Sequence, residues 1–168
     1  SVPYRLWKRY GDKSVVAENW AAMGRYLDCL VRNGGHLTNR CGDWLSYENN
    51  DEPVKKLLAD ALFVSDARMM AEMAEALGKE SEVRRYRTLS DRLLKTWRER
   101  YLDASGEVRE ELRTQTTLAF ALKYALVDAA ARPATVRQLT DNIHAHGDRL
   151  QTGFLGTAIL LDVLSGNG

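Results

Sequence analysis

The residues best suited to chemistry lie in the segment HLTNRCGDWLSYENNDEP (36–53), which separates two helical stretches of the 168-residue chain. It places one indole, Trp44, near four carboxylates: Asp43, Glu48, Asp51 and Glu52. A carboxylate beside an indole suits a sugar, because the acid accepts hydrogen bonds from paired hydroxyl groups while the ring covers a C–H face. The alternative is structural, with Asp43 capping a turn and Trp44 anchoring the loop. Residue types alone leave both interpretations open.

Polar or small residues also open two later helical segments. The first motif is RTQT at 113–116, where Thr114 is suited either to an N-cap or to a ligand contact. The second is LQTGFLGT at 150–157, where Gly153 and Gly156 permit either close helix packing or access of a ligand to the backbone. Neither motif decides by itself between the two uses.

The helices between these motifs alternate in hydrophobic pattern. Three segments carry a single apolar stripe, and three others are apolar on most of their faces. The striped segments are 13–33, 80–101 and 133–145, and the others are 53–77, 115–126 and 153–164. A helix that is apolar on most faces needs neighbours on several sides, so the alternation predicts inner and outer layers. We predict an all-α fold, about half of an α/α toroid; a solenoid of helix pairs is the alternative.

The connections differ in length in the same alternating way. The links at 34–52, 102–114 and 146–152 are long, and those between them are short. Because each helix reverses the direction of the chain, we expect the three long loops to meet at one end. Loops gathered on one face of a rigid scaffold are where binding residues usually lie.

Composition excludes several classes of partner. The chain has 24 Lys and Arg against 23 Asp and Glu, which gives no electrostatic case for nucleic acid or an acidic membrane surface. No apolar run approaches the roughly 20 residues that cross a bilayer. The three histidines (His36, His144 and His146) do not combine with Cys29 and Cys41 at zinc spacing, so we expect no metal and no cofactor. Counting leaves a Cys29–Cys41 disulfide open.

Both ends of the sequence suggest a fragment of a larger protein. The chain opens with SVPYRLWKRYG, without Met or a signal-peptide pattern, and it ends directly after a very apolar helix. Half a toroid would leave its inner helices uncovered on one side. We therefore expect self-association through the exposed inner helices.

Three motifs in order carry a resemblance to a known family. GDWL at 42–45, RTQTTLAFALKYAL at 113–126 and QTGFLGTAILLDVLS at 151–165 resemble the catalytic domain of bacterial α-L-rhamnosidases, glycoside hydrolase family 78. The likeness runs through nearly the entire chain. It implies an (α/α)6 barrel, with residues 1–168 as a single helical fragment of a glycoside hydrolase catalytic domain. It also implies hydrolysis of terminal α-linked L-rhamnose with inversion at the anomeric carbon.

The resemblance implies five sugar-site residues. Asp43 and Trp44 match the family's sugar-pocket motif, while Gln115, Thr152 and Gly153 match further positions and are expected to line the pocket. The other three carboxylates of the loop match no catalytic position. We expect them to face water and to compensate the charge of a helix N-terminus.

Inverting hydrolysis needs two carboxyl groups about 6.5–9.5 Å apart. The resemblance places the general acid in a motif like RDERLGWTGD, upstream of GDWL, and the general base in a later segment with a Trp-Glu pair. Neither segment occurs in this sequence. We therefore expect no catalytic residue in the chain and no activity from it alone. The sequence leaves open both the bacterial cytoplasm and the periplasm as its compartment.

Two other functions remain as alternatives. One is a non-catalytic helical-repeat module that binds a peptide or protein. The other is a glycosidase of a different α/α-barrel family, in which Asp43 and Trp44 would still line a pocket for another sugar.

Overall fold

The computed structural model describes residues 2–35 and 41–166, and over these residues the protein is helical. The elements are α1 (Val2–Tyr10), α2 (Ser14–Arg32), α3 (Glu52–Ala76), α4 (Glu80–Tyr101), a 3₁₀ helix (Glu110–Leu112), α5 (Gln115–Lys123), α6 (Arg132–Ala145) and α7 (Phe154–Ser165). Among the described residues, extended pairing is limited to an isolated antiparallel bridge between Leu102 and Val108. The all-α prediction is confirmed.

Local capping chemistry explains where several helices begin. Thr114 is the N-cap of α5, as one of its two interpretations predicted, and forms a capping box with Thr117. Pro133 lies in the first turn of α6, where a missing backbone N–H costs nothing. The carboxylate of Asp51 accepts a 3.1 Å hydrogen bond from the backbone N–H of Val54 and so caps α3.

The chain divides into two compact units. The first consists of Ser1–Leu37 and Leu62–Leu93, and the second of Thr38–Ala61 and Leu94–Gly168. The division falls within α3 and within α4. The expectation of a single fragment of one catalytic domain over residues 1–168 stays a prediction.

The first unit has an aliphatic and methionine-rich core with aromatic residues at its edge. Its buried members are Val16, Leu27, Leu30, Phe63, Ala67, Met70, Ala71, Met73, Tyr86 and Leu89. The ring of Trp20 packs edge-on against that of Tyr86, with centroids 6.0 Å apart. At the surface Glu72 accepts hydrogen bonds from Tyr4 (2.8 Å) and Lys8 (3.0 Å), which connects α1 to α3.

The core of the second unit is built around α5. Every residue from Gln115 to Leu122 is buried, as the nearly all-round hydrophobicity of this segment predicts. Both α6 and α7 pack on α5. The indole of Trp97 is fully buried and donates a 3.2 Å hydrogen bond to the carbonyl oxygen of Leu57. This helical packing supports the loops that carry the candidate site.

One face of α7 is covered and another is not, as expected for an inner helix of a half toroid. Gly156, Ile159, Leu160 and Val163 are buried, but Leu161 is 63% exposed. The reason is that α5 covers one side of α7, whereas no described residue covers the side that carries Leu161.

Within the described ranges, no helix is both long enough and apolar enough to cross a bilayer. Cys29 and Cys41 are thiols and not halves of a disulfide, which settles the pairing that counting left open.

Candidate functional site

The candidate site lies in the second unit, where loop 41–51 and residues 149–151 meet the start of α5, as the expected gathering of long loops at one end predicts. The backbone N–H of Tyr47 donates to the carbonyl oxygen of Gln151 (2.9 Å), and the hydroxyl of Ser46 donates to the same oxygen (3.1 Å). The side chain of Gln115 bonds the third loop at two points, Arg149 and Gln151. These contacts hold the acidic loop 41–51, the start of α5 and the approach to α7 together.

Asp43 is the residue around which this junction is organised. Its carboxylate is 2% exposed. One oxygen accepts hydrogen bonds from the Thr116 hydroxyl and from the backbone N–H of Gly153 (2.7 Å). The other oxygen accepts from the backbone N–H groups of Leu155 (2.7 Å) and Gly156 (3.1 Å). Each oxygen has two lone pairs, so four bonds use the full acceptor capacity of the group.

The bonds to Leu155 and Gly156 make Asp43 the N-terminal cap of α7. The first N–H groups of a helix have no partner within the helix, and the positive end of the helix dipole favours a negative charge there. The residue at the N-cap position, Gly153, has no side chain to do this. A carboxylate from a distant loop therefore supplies both the acceptors and the charge, which accounts for a buried acid that forms no ion pair with any described residue.

Trp44 follows Asp43 in a tight turn and projects outward. The turn is closed by a 3.0 Å hydrogen bond from the Ser46 N–H to the Asp43 carbonyl oxygen, and Leu45 occupies its third position at φ +66°. A leucine in the left-handed region is strained, and such strain is often found beside functional residues. The indole of Trp44 is 57% exposed and stacks on the ring of Phe154, with centroids 5.5 Å apart and planes inclined by 20°.

Glu48 performs at α5 what Asp43 performs at α7. One carboxylate oxygen accepts a 2.6 Å hydrogen bond from the backbone N–H of Gln115, the first residue of α5. The other accepts a 2.8 Å bond from the side-chain amide of Asn142 on α6. With Asp51 at α3, the acidic loop provides one carboxylate to each of three helix N-termini. The expected charge compensation is confirmed, but the expectation that Glu48 faces water is wrong because both its oxygens are bonded within the protein.

Two glycines allow this close packing. A Cβ atom at Gly153 would overlap the carbonyl oxygen of Trp44, and one at Gly156 would overlap the Thr116 hydroxyl. Gly153 has φ −91°, which other residues also adopt, so the requirement is for space and not for an unusual backbone conformation. Of the two uses that the sequence left open for these glycines, the geometry supports close packing.

The structure brings all five predicted site residues together, but it places them differently. Four are buried: Asp43, Gln115, Thr152 and Gly153. The side-chain amide of Gln115 donates a hydrogen bond to the carbonyl oxygen of Arg149 and accepts one from the backbone N–H of Gln151. The hydroxyl groups of Thr152 and Thr157 are hydrogen-bonded at 2.8 Å. Trp44 alone of the five presents its side chain to solvent.

Sequence reasoning missed three residues of the junction: Thr116, Asn142 and Phe154. Thr116 and Phe154 lie inside the quoted motifs RTQT and QTGFLGT, so the sequence indicated that they lie near the site. It did not indicate which residues they contact. Asn142 lies in a striped helix, where an amide is unremarkable in the sequence.

Within the described part of the chain, the junction shows neither a free acid–base pair nor a metal cluster. Asp43 and Glu48 have both carboxylate oxygens engaged in hydrogen bonds. Among residues 2–35 and 41–166, no three His, Cys, Asp or Glu side chains are grouped so that they could hold a metal ion. His36, one of the three histidines considered for such a site, lies outside the described residues.

Comparison with known proteins gives consistent matches along the full chain. The family model for the bacterial alpha-L-rhamnosidase six-hairpin glycosidase domain matches residues 1–168. An alpha-L-rhamnosidase from Streptomyces avermitilis is 34% identical over 171 residues, which cover 100% of this chain and 16% of that protein.

Solved structures of alpha-L-rhamnosidases also match this chain. The crystal structure of Streptomyces avermitilis alpha-L-rhamnosidase complexed with L-rhamnose superposes with a TM-score of 0.89 at 32% identity, covering 99% of this chain and 16% of that one. The structure of native alpha-L-rhamnosidase from Aspergillus terreus gives a TM-score of 0.86 at 28% identity, covering 98% and 20%. The chain thus spans only 16–20% of the length of these relatives.

Proposed function

Because the chain belongs to the bacterial alpha-L-rhamnosidase six-hairpin glycosidase domain family, we propose that it is the central part of an inverting α-L-rhamnosidase. The parent protein hydrolyses terminal α-L-rhamnosyl residues from glycosides. The chain contributes one wall of the sugar site, and its partner is a carbohydrate that contains L-rhamnose. The general acid and general base come from other parts of the parent.

The observation that carries this proposal is the position of Trp44. Its indole is more than half exposed at the junction of three loops, although a large aromatic side chain gains most when it is buried. The backbone around it is fixed by the turn at Ser46 and by a 2.9 Å hydrogen bond from the Phe154 N–H to the Trp44 carbonyl oxygen. A rigid, exposed aromatic face is suited to the C–H face of a sugar ring.

In this proposal the buried residues act by positioning Trp44. A hydroxyl group of the sugar could bond the Asp43 carboxylate only by displacing one of its four present donors. We therefore assign Asp43 the role of holding loop 41–51 against α7. Gln115, Thr152 and Gly153 belong to the same support.

A thermal-shift titration with L-rhamnose tests the proposed sugar site. A ligand that binds only the folded state stabilises it by about 2.7 kcal/mol at a hundredfold excess over its dissociation constant. L-Rhamnose should raise the Tm of the chain, and D-mannose and D-glucose should not. Trp44→Ala should abolish the shift.

Tyr47→Ala is the matched control, because Tyr47 is an aromatic residue of the same loop with an 84% exposed side chain. It should leave the shift intact. Equal shifts for all three sugars would contradict a site that is specific for L-rhamnose. The absence of any shift would contradict a sugar site in this chain.

Activity provides a second test. The purified chain should not hydrolyse an aryl α-L-rhamnoside, because the carboxylates Asp43 and Glu48 are committed to helix capping. Robust turnover would refute the assignment of the acid and base to other parts of the parent.

A further inference from the structure

Phe154 is an exposed aromatic residue that the proposed function leaves without a role. It is the first residue of α7, and its side chain is 66% exposed. Helix capping at this position uses only its backbone N–H, which donates to Trp44. Nothing in the capping arrangement requires an aromatic side chain there.

The two rings form a step and not a single plane. Their centroids are 5.5 Å apart and their planes are inclined by only 20°. Since parallel rings in contact are separated by about 3.5 Å, the remaining displacement of about 4 Å is lateral. Part of each ring therefore extends beyond the other, and a ligand that lies across the pair can contact both.

The step is held in place before any ligand arrives. The Asp43 carboxylate fixes the first turn of α7 through Leu155 and Gly156, and the turn that ends at Ser46 fixes Trp44. A preformed surface loses little conformational freedom on binding, so its contacts contribute more fully to affinity.

We propose that Phe154 determines specificity for the group linked to rhamnose and that it favours an aryl aglycone. The inference rests on the proposed function, in which the Trp44 ring covers the sugar. Because the ring of Phe154 stacks on that of Trp44, a group linked to a sugar on Trp44 can reach it. An aryl group is flat and apolar and stacks on phenylalanine in the same offset manner as the two protein rings.

Isothermal titration with two glycosides tests this. The probes are p-nitrophenyl α-L-rhamnoside and methyl α-L-rhamnoside, which share the sugar and differ in the aglycone. The wild-type chain should bind the aryl glycoside about three- to tenfold more tightly, which is the typical contribution of one aromatic pair. Phe154→Ala should remove this preference and leave affinity for the methyl glycoside within about twofold.

Two further variants make the result specific. Phe154→Leu keeps an apolar contact under Trp44 but removes the ring, so it should also lose the aryl preference. Leu161→Ala is the matched control, because Leu161 is a similarly exposed apolar residue two turns along the same helix. It should keep the preference. Titrations are run at a concentration where sedimentation shows a single species.

The outcomes separate this inference from the proposed function. An aryl preference that survives in Phe154→Ala overturns the inference alone. An equal loss of affinity for both glycosides in that variant also overturns it, because Phe154 would then only support Trp44. If the wild-type chain binds neither glycoside, the proposed sugar site and the inference both fail.

Discussion

The carboxylate of Asp43 lies 2.7 Å from the backbone nitrogen of Leu155, although 112 positions separate the two residues in the chain. This hydrogen bond and its neighbour at Gly156 cap α7 from a loop, and not from the preceding residue. The same carboxylate also bonds Gly153, so it joins the acidic loop to the start of the helix.

Asp43→Asn should destabilise the protein strongly. Asparagine keeps the shape of the side chain, but its NH₂ group would face N–H donors and leave them without an acceptor. The loss of a buried, charge-assisted acceptor is expected to lower the free energy of unfolding by about 2–3 kcal/mol. Denaturant titration measures the change.

Asp51→Asn is the control for this variant, since Asp51 caps α3 at an exposed position and asparagine is an equally good N-cap. It should cost less than about 0.5 kcal/mol. Similar losses in the two variants would contradict the special role of the buried carboxylate.

Gly153→Ala should separate the acidic loop from α7. The added methyl group would overlap the carbonyl oxygen of Trp44, and it would lie 2.6 Å from that of Asp43. Both are backbone atoms that cannot rotate away, so we expect a loss of about 2 kcal/mol or more in unfolding free energy.

Gly24→Ala provides the comparison. Gly24 lies within α2, and the nearest atom to its added methyl group would be the hydroxyl oxygen of Tyr86, at 3.4 Å. This substitution should be neutral or stabilising by up to about 1 kcal/mol, because alanine favours the helix. If Gly153→Ala were equally benign, the tight contact between the loop and α7 would be refuted.

Tyr101 should make stability depend on alkaline pH. Burial of the side chain, together with its 2.7 Å hydrogen bond to Asp60, raises the pKa of Tyr101 well above its ordinary value. A raised folded-state pKa contributes stability that is fully present below the unfolded-state pKa of about 10. That stability is lost as the pH rises from there through the folded-state pKa.

Denaturant titrations between pH 8 and pH 11 on wild type and Tyr101→Phe measure this effect. The wild type should lose more stability above pH 10 than the variant, which has no ionisable group at this position. Parallel pH profiles for the two proteins would show that Tyr101 does not titrate as expected.

Self-association through the exposed face of α7 stays a prediction, and Leu161 offers its test. The side chain is 63% exposed on a helix whose other side packs on α5. Sedimentation velocity over a range of concentrations should show a self-associating wild type and a monomeric Leu161→Glu, because the charge opposes burial of this face. A wild type that stays monomeric at high concentration would contradict self-association through this face.

The sequence predicted the elements of the fold well because their signals are local. The spacing of apolar residues indicates helices by itself, and the structure has helices in all the segments where that spacing occurs. Thr114 and Pro133 mark the beginnings of α5 and α6 through contacts within one turn. The long loops were expected to meet, since reversals of chain direction require it.

The sequence predicted which residues lie together at the candidate site, but it did not predict their hydrogen bonds or their exposure. The resemblance carried by GDWL and TGFLGT selected five residues that do lie together. It could not show that Asp43 is saturated by four hydrogen bonds, because three of the donors are backbone N–H groups more than 100 residues away. Nor could it show that Phe154 stacks on Trp44, since exposure and ring geometry depend on the path of both loops.

By itself, then, the sequence determined the helical class, the approximate positions of the helices and the family motifs, all of which depend on neighbours within a few turns. Only the tertiary structure decided which carboxylates of loop 41–51 are available to a ligand. The physical reason is that a helix N-terminus attracts whichever acid the fold brings to it. Asp43 and Glu48 are brought to α7 and α5 and are used there, which leaves the exposed ring of Trp44 as the group that we propose to contact the sugar.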